Sequence, residues 1–232
     1  MNNVEVMVYP KLYKRIVALL VDFIVCINFF ALFQLLISPV IEKTFNYQKV
    51  LVAYQEKLVE YGIGYYEYND DNTKVYINYE IGEEENMITQ DEYDEAKENF
   101  ENDEEALKSA KKLNTISMVG TSLELLLAII PNYLLFPLIF KNGQTLGKKL
   151  MKIAIVGKNG YQIKFINLLM RNIVGLYLFD LLVSYIVMFS YNIPIIIMLS
   201  LIGALCTKGK RTIHDLIAGT YIVDEEMTVI LN

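Results

Sequence analysis

Residues Tyr13 to Val25 read YKRIVALLVDFIV. They open an apolar run, Ile16 to Ile41, whose polar members are Asp22, Asn28, Gln34 and Ser38. A helix rises ~1.5 Å per residue and needs about 20 apolar residues to cross a ~30 Å hydrocarbon core. This run is long enough. Ile116 to Phe140 is a second such run, and Ile173 to Cys206 a third, interrupted by Ser190-Tyr191-Asn192-Ile193-Pro194. The chain is 54% hydrophobic with mean hydropathy +0.32, and its apolar residues are clustered rather than periodic. Runs without a polar face do not suit soluble helices. An all-α integral membrane protein is therefore expected. The polar N-terminus through Lys11 and the length of the first run argue against a cleaved signal peptide.

Charge orders the segments. Lys11, Lys14 and Arg15 precede the first run; Lys141, Lys148, Lys149, Lys152, Lys158, Lys164 and Arg171 lie between the second and third; Lys208, Lys210 and Arg211 follow the last. The segment Glu42 to Asn114 carries 19 acidic against 8 basic residues. The positive-inside rule places the basic clusters in the cytoplasm and the acidic segment outside. Both flanks of the third run then lie inside, so it folds as a hairpin turning near Asn192 and Pro194, with a re-entrant hairpin as the alternative. Four membrane helices follow, with both termini cytoplasmic. The divisions are 1–41, N-terminal segment and first helix; 42–114, acidic extracytoplasmic insert; 115–140, second helix; 141–172, basic cytoplasmic loop; 173–206, membrane hairpin; 207–232, cytoplasmic C-terminal element.

The insert reads as small and α+β. The stretch YYEYNDDNTKVYINYEI alternates around a polar turn at Asn69 to Thr73, a β-hairpin signal. Thr89-Gln90-Asp91-Glu92 is a capping box opening a charged helix toward Lys112. Asp70, Asp71 and Asn72 lack the spacing and glycine of a calcium loop. The single histidine, His214, and the separated Cys26 and Cys206 make neither a metal centre nor a disulfide framework.

The chain also resembles itself. R-IVALLVD from Arg15 matches RNIVGLYLFD from Arg171, and KNGQTLGKKLMKIAIV from Lys141 matches KGKRTIHDLIAGTYIV from Lys208. In the second pair Thr145 aligns with Thr212, Lys148 with Asp215, and Ile155-Val156 with Ile222-Val223 at one offset. Two parallel repeats about an axis along the membrane normal are expected. Thr145 and Thr212 suit the N-caps of short helices. The tails Ile153 to Val156 and Thr220 to Val223 suit strands that pair or pack together. Opposite charges at Lys148 and Asp215 suggest a salt bridge between halves.

These residues together resemble the RDD family of bacterial membrane proteins, whose name refers to one arginine and two aspartates. Arg15, Asp22 and Asp215 stand at the three signature positions, and GQTLGKKLMKIAIV is similar to a central G-x-T-x-G-K element, with Leu146 where proline is frequent. Arg171 fits the basic residue opening the next helix. The resemblance leaves out the acidic insert. It implies a multi-pass protein of the cytoplasmic membrane, with cation–proton exchange among the activities proposed, and it implies no catalytic residues.

Arg15 and Asp22 lie seven residues apart, on one helix face but ~10.5 Å apart along the axis. Each is expected to pair across the bundle, Asp22 with Arg171 and Arg15 with Asp215. A charged aspartate at a helix centre costs ~2.5–3.5 kcal/mol on insertion scales. With Glu124 and Asp180 it makes three carboxylates in apolar runs, a pattern that marks ion or proton pathways, although inter-helix hydrogen bonding has the same appearance. Pro131 and Pro137 can free carbonyls beside them. Two functions are expected: a Na⁺ or H⁺ exchanger acting as a homodimer, or a non-transporting accessory protein whose acidic insert binds a protein partner. Enzyme motifs such as G-x-S-x-G, HExxH, Walker A and CxxC are missing from the sequence. No cofactor, metal or nucleic acid is expected.

Overall fold

A computed structural model describes residues 7–82, 87–140, 142–157, 160–183 and 211–230, without the side chains of Asp180 and Leu181. The expected turn at Asn192 and Pro194, and the carboxylate of Asp180, lie outside the described residues. The chain divides into two compact units, Met1–Gln34 with Ser122–Asn232, and Leu35–Thr121.

Mostly helical structure follows from the apolar runs. Helix α1 spans Leu12–Thr44. Helix α4, Glu104–Ile130, continues through a π-helical turn, Pro131–Leu135, into α5, Phe136–Phe140. Leu12–Thr44 and Glu104–Phe140 are each long and apolar enough to cross a membrane. Only 11% of the most apolar window of α1 is buried, whereas the core helix of a soluble protein is mostly buried. Leu20, Phe23, Ile24, Leu35 and Leu36 are all exposed, as a helix solvated by hydrocarbon requires.

In the Leu35–Thr121 unit, α2 (Tyr47–Glu60) starts at Asn46, which adopts left-handed backbone at φ 51°. Its Val50, Tyr54 and Leu58 recur every four residues and form the buried stripe of an amphipathic helix. Strands β1 (Gly64–Tyr68) and β2 (Lys74–Asn78) pair antiparallel, Tyr66 opposite Tyr76. The turn between them is closed by Asn69 Oδ1 accepting from Thr73 N at 2.8 Å, with Asn72 at φ 55°. Phe100 is the centre of the core, edge-on to Tyr54 and to Tyr61 at 5.9 Å.

The capping box at Thr89 forms: Glu92 N donates to Thr89 Oγ1 and Thr89 N to Glu92 Oε2. The helix it opens, α3, covers Gln90–Asn102 and stops short of the expected Lys112. Asp103 ends it by leaving helical geometry at ψ 116°, and its Oδ1 accepts from Glu105 N and Ala106 N to start α4. The charged helix and the apolar helix are thus separate, joined at a capping aspartate.

The other unit holds short elements at the ends of the long ones: α6 (Leu146–Leu150), β3 (Ile153–Gly157), α7 (Phe165–Leu169) running into a π-helical stretch Met170–Val183, α8 (Ile213–Ala218) and β4 (Thr220–Asp224). The two tails pair antiparallel, Ile153 opposite Asp224 and Ile155 opposite Ile222. Ile153 and Ile222 pack with Ala18 of α1, while Ala154, Val156 and Val223 pack with Met7, Tyr221 and Ile230, so the sheet is covered on both sides.

Asp103 generates a prediction. The Tyr61 hydroxyl, the Glu105 and Ala106 amides and the Lys57 ammonium hold its carboxyl below the usual 3.8, at about 2. A depressed carboxyl contributes stability that is full above 3.8 and lost as pH falls through about 2. Asp103→Asn should lower the melting temperature at pH 7, with the deficit against native shrinking as the pH falls towards 2. Circular dichroism melts of the full chain in detergent check it; a deficit that ignores pH contradicts the assignment.

Candidate functional site

Two buried polar clusters form where short helices meet long ones. In the first, Asp22 of α1 lies against the opening turn of α6, with 1% of its surface exposed. The first N–H groups of a helix have no partner within it. Here Leu146 N donates to Asn132 Oδ1, Gly147 N to Asp22 Oδ1 at 2.8 Å, and Lys148 N to the capping Thr145 Oγ1. Asp22 Oδ2 accepts from the Thr145 hydroxyl at 2.6 Å and from Lys148 Nζ at 3.5 Å, and Oδ1 accepts from Asn132 Nδ2 at 3.1 Å. The carboxylate therefore faces an amide, a hydroxyl, a backbone N–H and an ammonium. Gly147 makes the approach possible: a Cβ there would fall 2.1 Å from the Ala18 carbonyl oxygen and 2.9 Å from Asp22 Oδ1.

In the second cluster Arg171, itself buried, donates from Nε and from a terminal nitrogen to Asp215 Oδ1, both at 2.8 Å. Asp215 closes a capping box at the start of α8, its Oδ2 accepting from Thr212 N at 3.2 Å and Thr212 Oγ1 at 2.7 Å. Burial acts to raise the Asp215 carboxyl, and the Arg171 guanidinium outweighs it and holds the group well below the carboxylate range. Gly175 permits this crossing, since a Cβ there would fall 2.5 Å from His214 Cβ.

The π-helical turn joins the clusters. Asn132 reaches Asp22, while the next residue, Tyr133, offers its carbonyl to Asn172 Nδ2. Pro137 has no N–H to give the carbonyl four residues before it, which is that of Tyr133. The proline frees the acceptor that Asn172 uses.

These contacts correct the expected pairings. Arg171 takes Asp215 and not Asp22, and Lys148 takes Asp22 and not Asp215. The crossings at Gly147 and Gly175 bring each short helix onto its own long segment, so each pair closes locally. Lys148 and Asp215 hold the same place, third in their short helices. The acid lies on the long helix in one cluster and on the short helix in the other. Arg15 lies in the field of both Asp215 and Arg171. With Asp22, Lys148, Arg171, Thr212 and His214, it lines a cavity of about 360 Å³. Glu124 is buried on α4 outside that lining.

Sequence reading missed Asn132 and Asn172. The available signal was their polarity beside Pro131 and Arg171 in apolar surroundings. Gln144, fully buried and donating to Ile153 O and Glu225 Oε2, was missed as well.

The RDD family model matches residues 9–219 of the chain. An uncharacterized protein of Bacillus subtilis, YckC, is 32% identical over 96 residues, covering 41% of this chain. The matched part spans 56% of that relative's own length. No solved structure matches.

Removing one partner of a buried pair strands the other charge, at a cost of about 3–5 kcal/mol. Arg171→Met should show a loss of that order. Adding Asp215→Asn should cost much less than the two single losses together, in a double-mutant cycle read by unfolding in detergent. Gly147→Ala should lose about 1–3 kcal/mol, as overpacked cores do; a neutral result would mean that α6 does not lie on Ala18.

Proposed function

Because the chain belongs to the RDD family, we propose that it is a multi-pass protein of the bacterial cytoplasmic membrane that exchanges a small monovalent cation for a proton at Asp22 and Lys148. The observation that carries this reading is the loose ion pair between them, 3.5 Å long, buried, and in the wall of a cavity. Burial pushes the Lys148 ammonium down, so its proton is held less firmly than that of an ordinary lysine. A cation arriving at Asp22 Oδ2 takes the place of the ammonium, and Lys148 gives up its proton. One positive charge replaces another, so the swap leaves the local charge unchanged. Glu124 and Asp180 are the further carboxylates such a path would use.

In the topology proposed here there are four spans with both termini cytoplasmic, supported by the basic clusters and the acidic 42–114 segment. Two parallel halves are proposed as well. In support, Ile155 pairs with Ile222, its own counterpart at the offset that relates Thr145 to Thr212, so the sheet register is symmetric about that pair. Ala18 against Gly147 and Gly175 against His214 occupy matching places in the two alignments. Homodimer assembly belongs to the same proposal.

A second reading rests on the donors Asn132, Thr145 and Gly147, which satisfy Asp22 without any transported ion. Asp22 is then a clasp, and the protein is an accessory membrane component whose acidic segment engages a protein partner. Proteoliposomes loaded with a pH-sensitive dye separate the two. Under exchange, external Na⁺ or K⁺ drives protons out through the native protein, and folded Lys148→Gln loses the coupling. Native protein silent across pH and both cations, or Lys148→Gln indistinguishable from native, would rule exchange out.

A further inference from the structure

The side chain of Lys148 is a butylammonium on a tether, and the place that holds its ammonium offers few oxygens. Nζ lies 3.1 Å from Thr145 Oγ1 and 3.5 Å from Asp22 Oδ2. It stands 5.6 Å from the centroid of the Tyr133 ring, within the ~6 Å reach of a cation–π contact. Asp22 Oδ1 is occupied by Asn132 Nδ2 and Gly147 N, and Oδ2 already accepts from the Thr145 hydroxyl. Among the described residues, a cation placed here finds two side-chain oxygens and a ring. An alkali ion stripped of water needs a whole shell of oxygens. An ammonium is satisfied by a few directed N–H bonds.

The space beside it suits carbon. Leu12, Ile16, Leu19, Leu176 and Ile222 line the same cavity of about 360 Å³ as Asp22, Tyr133 and Lys148. That volume is far larger than one ion, and water brought in to complete an ion's shell would lie against these side chains. A short alkyl chain would be sheltered by them. Arg15, Arg171 and His214 line the cavity as well, with Arg171 held by Asp215 and Arg15 in the field of both. The charges acting on Lys148 are those of Asp22, Arg171 and Asp215, and the Cys26 thiol lies in its field. The tether also keeps Lys148 short of full contact. Charge-assisted hydrogen bonds run ~2.7–2.9 Å, and Lys148 stays at 3.5 Å. Its backbone is fixed by α6, whose Gly147 closes against Ala18. An amine free of the chain has no such limit.

We propose that the cation preferred at Asp22 is a short primary alkylammonium, its N–H groups on Asp22 Oδ2 and Thr145 Oγ1 and its carbon chain among Leu12, Ile16, Leu19, Leu176 and Ile222. This rests on the exchange reading above. The incoming R–NH3⁺ keeps its protons and its charge. One N–H bond of the Lys148 ammonium breaks, its proton goes to solution, and the electron pair stays on Nζ as a neutral amine. Na⁺ and K⁺ take the same place less well.

The test uses the full chain in a neutral detergent, weakly buffered near neutral pH with a pH-sensitive dye. It is titrated with the chlorides of methyl-, ethyl- and propylammonium, of tetramethylammonium, and of Na⁺ and K⁺. The primary amines should release protons in a saturable way. Each added methylene should lower the half-saturating concentration roughly fourfold, the equivalent of the ~0.8 kcal/mol of a buried CH2. Tetramethylammonium has charge and carbon but no N–H, and should release none. Na⁺ and K⁺ should need higher concentrations than propylammonium. Folded Lys148→Gln should release nothing with any salt, and the native series decides where that variant fails to fold. A flat series in chain length overturns the proposal, as does tetramethylammonium acting as well as propylammonium. Na⁺ or K⁺ acting at lower concentration than propylammonium also overturns it and leaves exchange itself standing. Release that persists in Lys148→Gln overturns it, since the proton then has another source. Silence with every salt overturns it together with the exchange reading.

Discussion

The carboxylate of Asp22 lies in the opening turn of a five-residue helix, and much of its unit is arranged around that contact. Helix α6 is too short to hold itself together, because helix nucleation is costly and four residues of every end lack internal partners. Asp22, Asn132 and Thr145 supply those partners from three different parts of the chain. In return α6 gives Asp22 a positive helix terminus and an ammonium, the surroundings that make a buried carboxylate tolerable. Neither the acid nor the short helix is well placed without the other. The paired strands that follow α6 and α8, with α1 against one face, depend on that same anchor point.

Much of this was legible in the sequence, for identifiable reasons. Asp22 stood out because a charge in an apolar run is expensive. Thr145, Thr212 and Thr89 stood out because capping chemistry is local, and the strand tails because they are short apolar runs that match at one constant offset. The pairing of charges was not legible. Lys148 and Asp215 hold equivalent positions, and from charge alone they look like partners. Their actual partners follow from where Gly147 and Gly175 let backbones touch, which depends on three-dimensional approach. Asn132 and Asn172 were missed because a neutral amide costs less to bury than a charge and so leaves a fainter trace. The break at Asp103 escaped notice because an aspartate in a helical, charge-rich stretch looks ordinary until its carboxylate turns back to the following amides.

The inverted charge order of the two clusters has a further meaning. If both long segments carried the acid, four buried groups close to one cavity would divide into two like-signed layers. Inverting the order keeps each acid against a cation of the facing element, Asp22 with Lys148 and Asp215 with Arg171, and leaves the two cations within each other's field. Low dielectric makes that arrangement matter more than it would at a surface. It also prevents either short helix from taking the other's place, since a Lys148 turn placed on Arg171 would set two cations together.

The partners of Asp22 lie far along the chain, 110 residues away for Asn132 and 126 for Lys148. Ribosomes add ~5–20 residues per second, so roughly 6–25 s separate the synthesis of the acid from that of its donors. Helix α1 therefore leaves the ribosome as an apolar segment carrying a carboxylate with nothing yet to receive it. A charged aspartate at a helix centre costs ~2.5–3.5 kcal/mol on insertion scales. The donors that offset that cost exist only once Asn132 and Lys148 have been made, so one side chain ties the stability of the first helix to the middle of the chain.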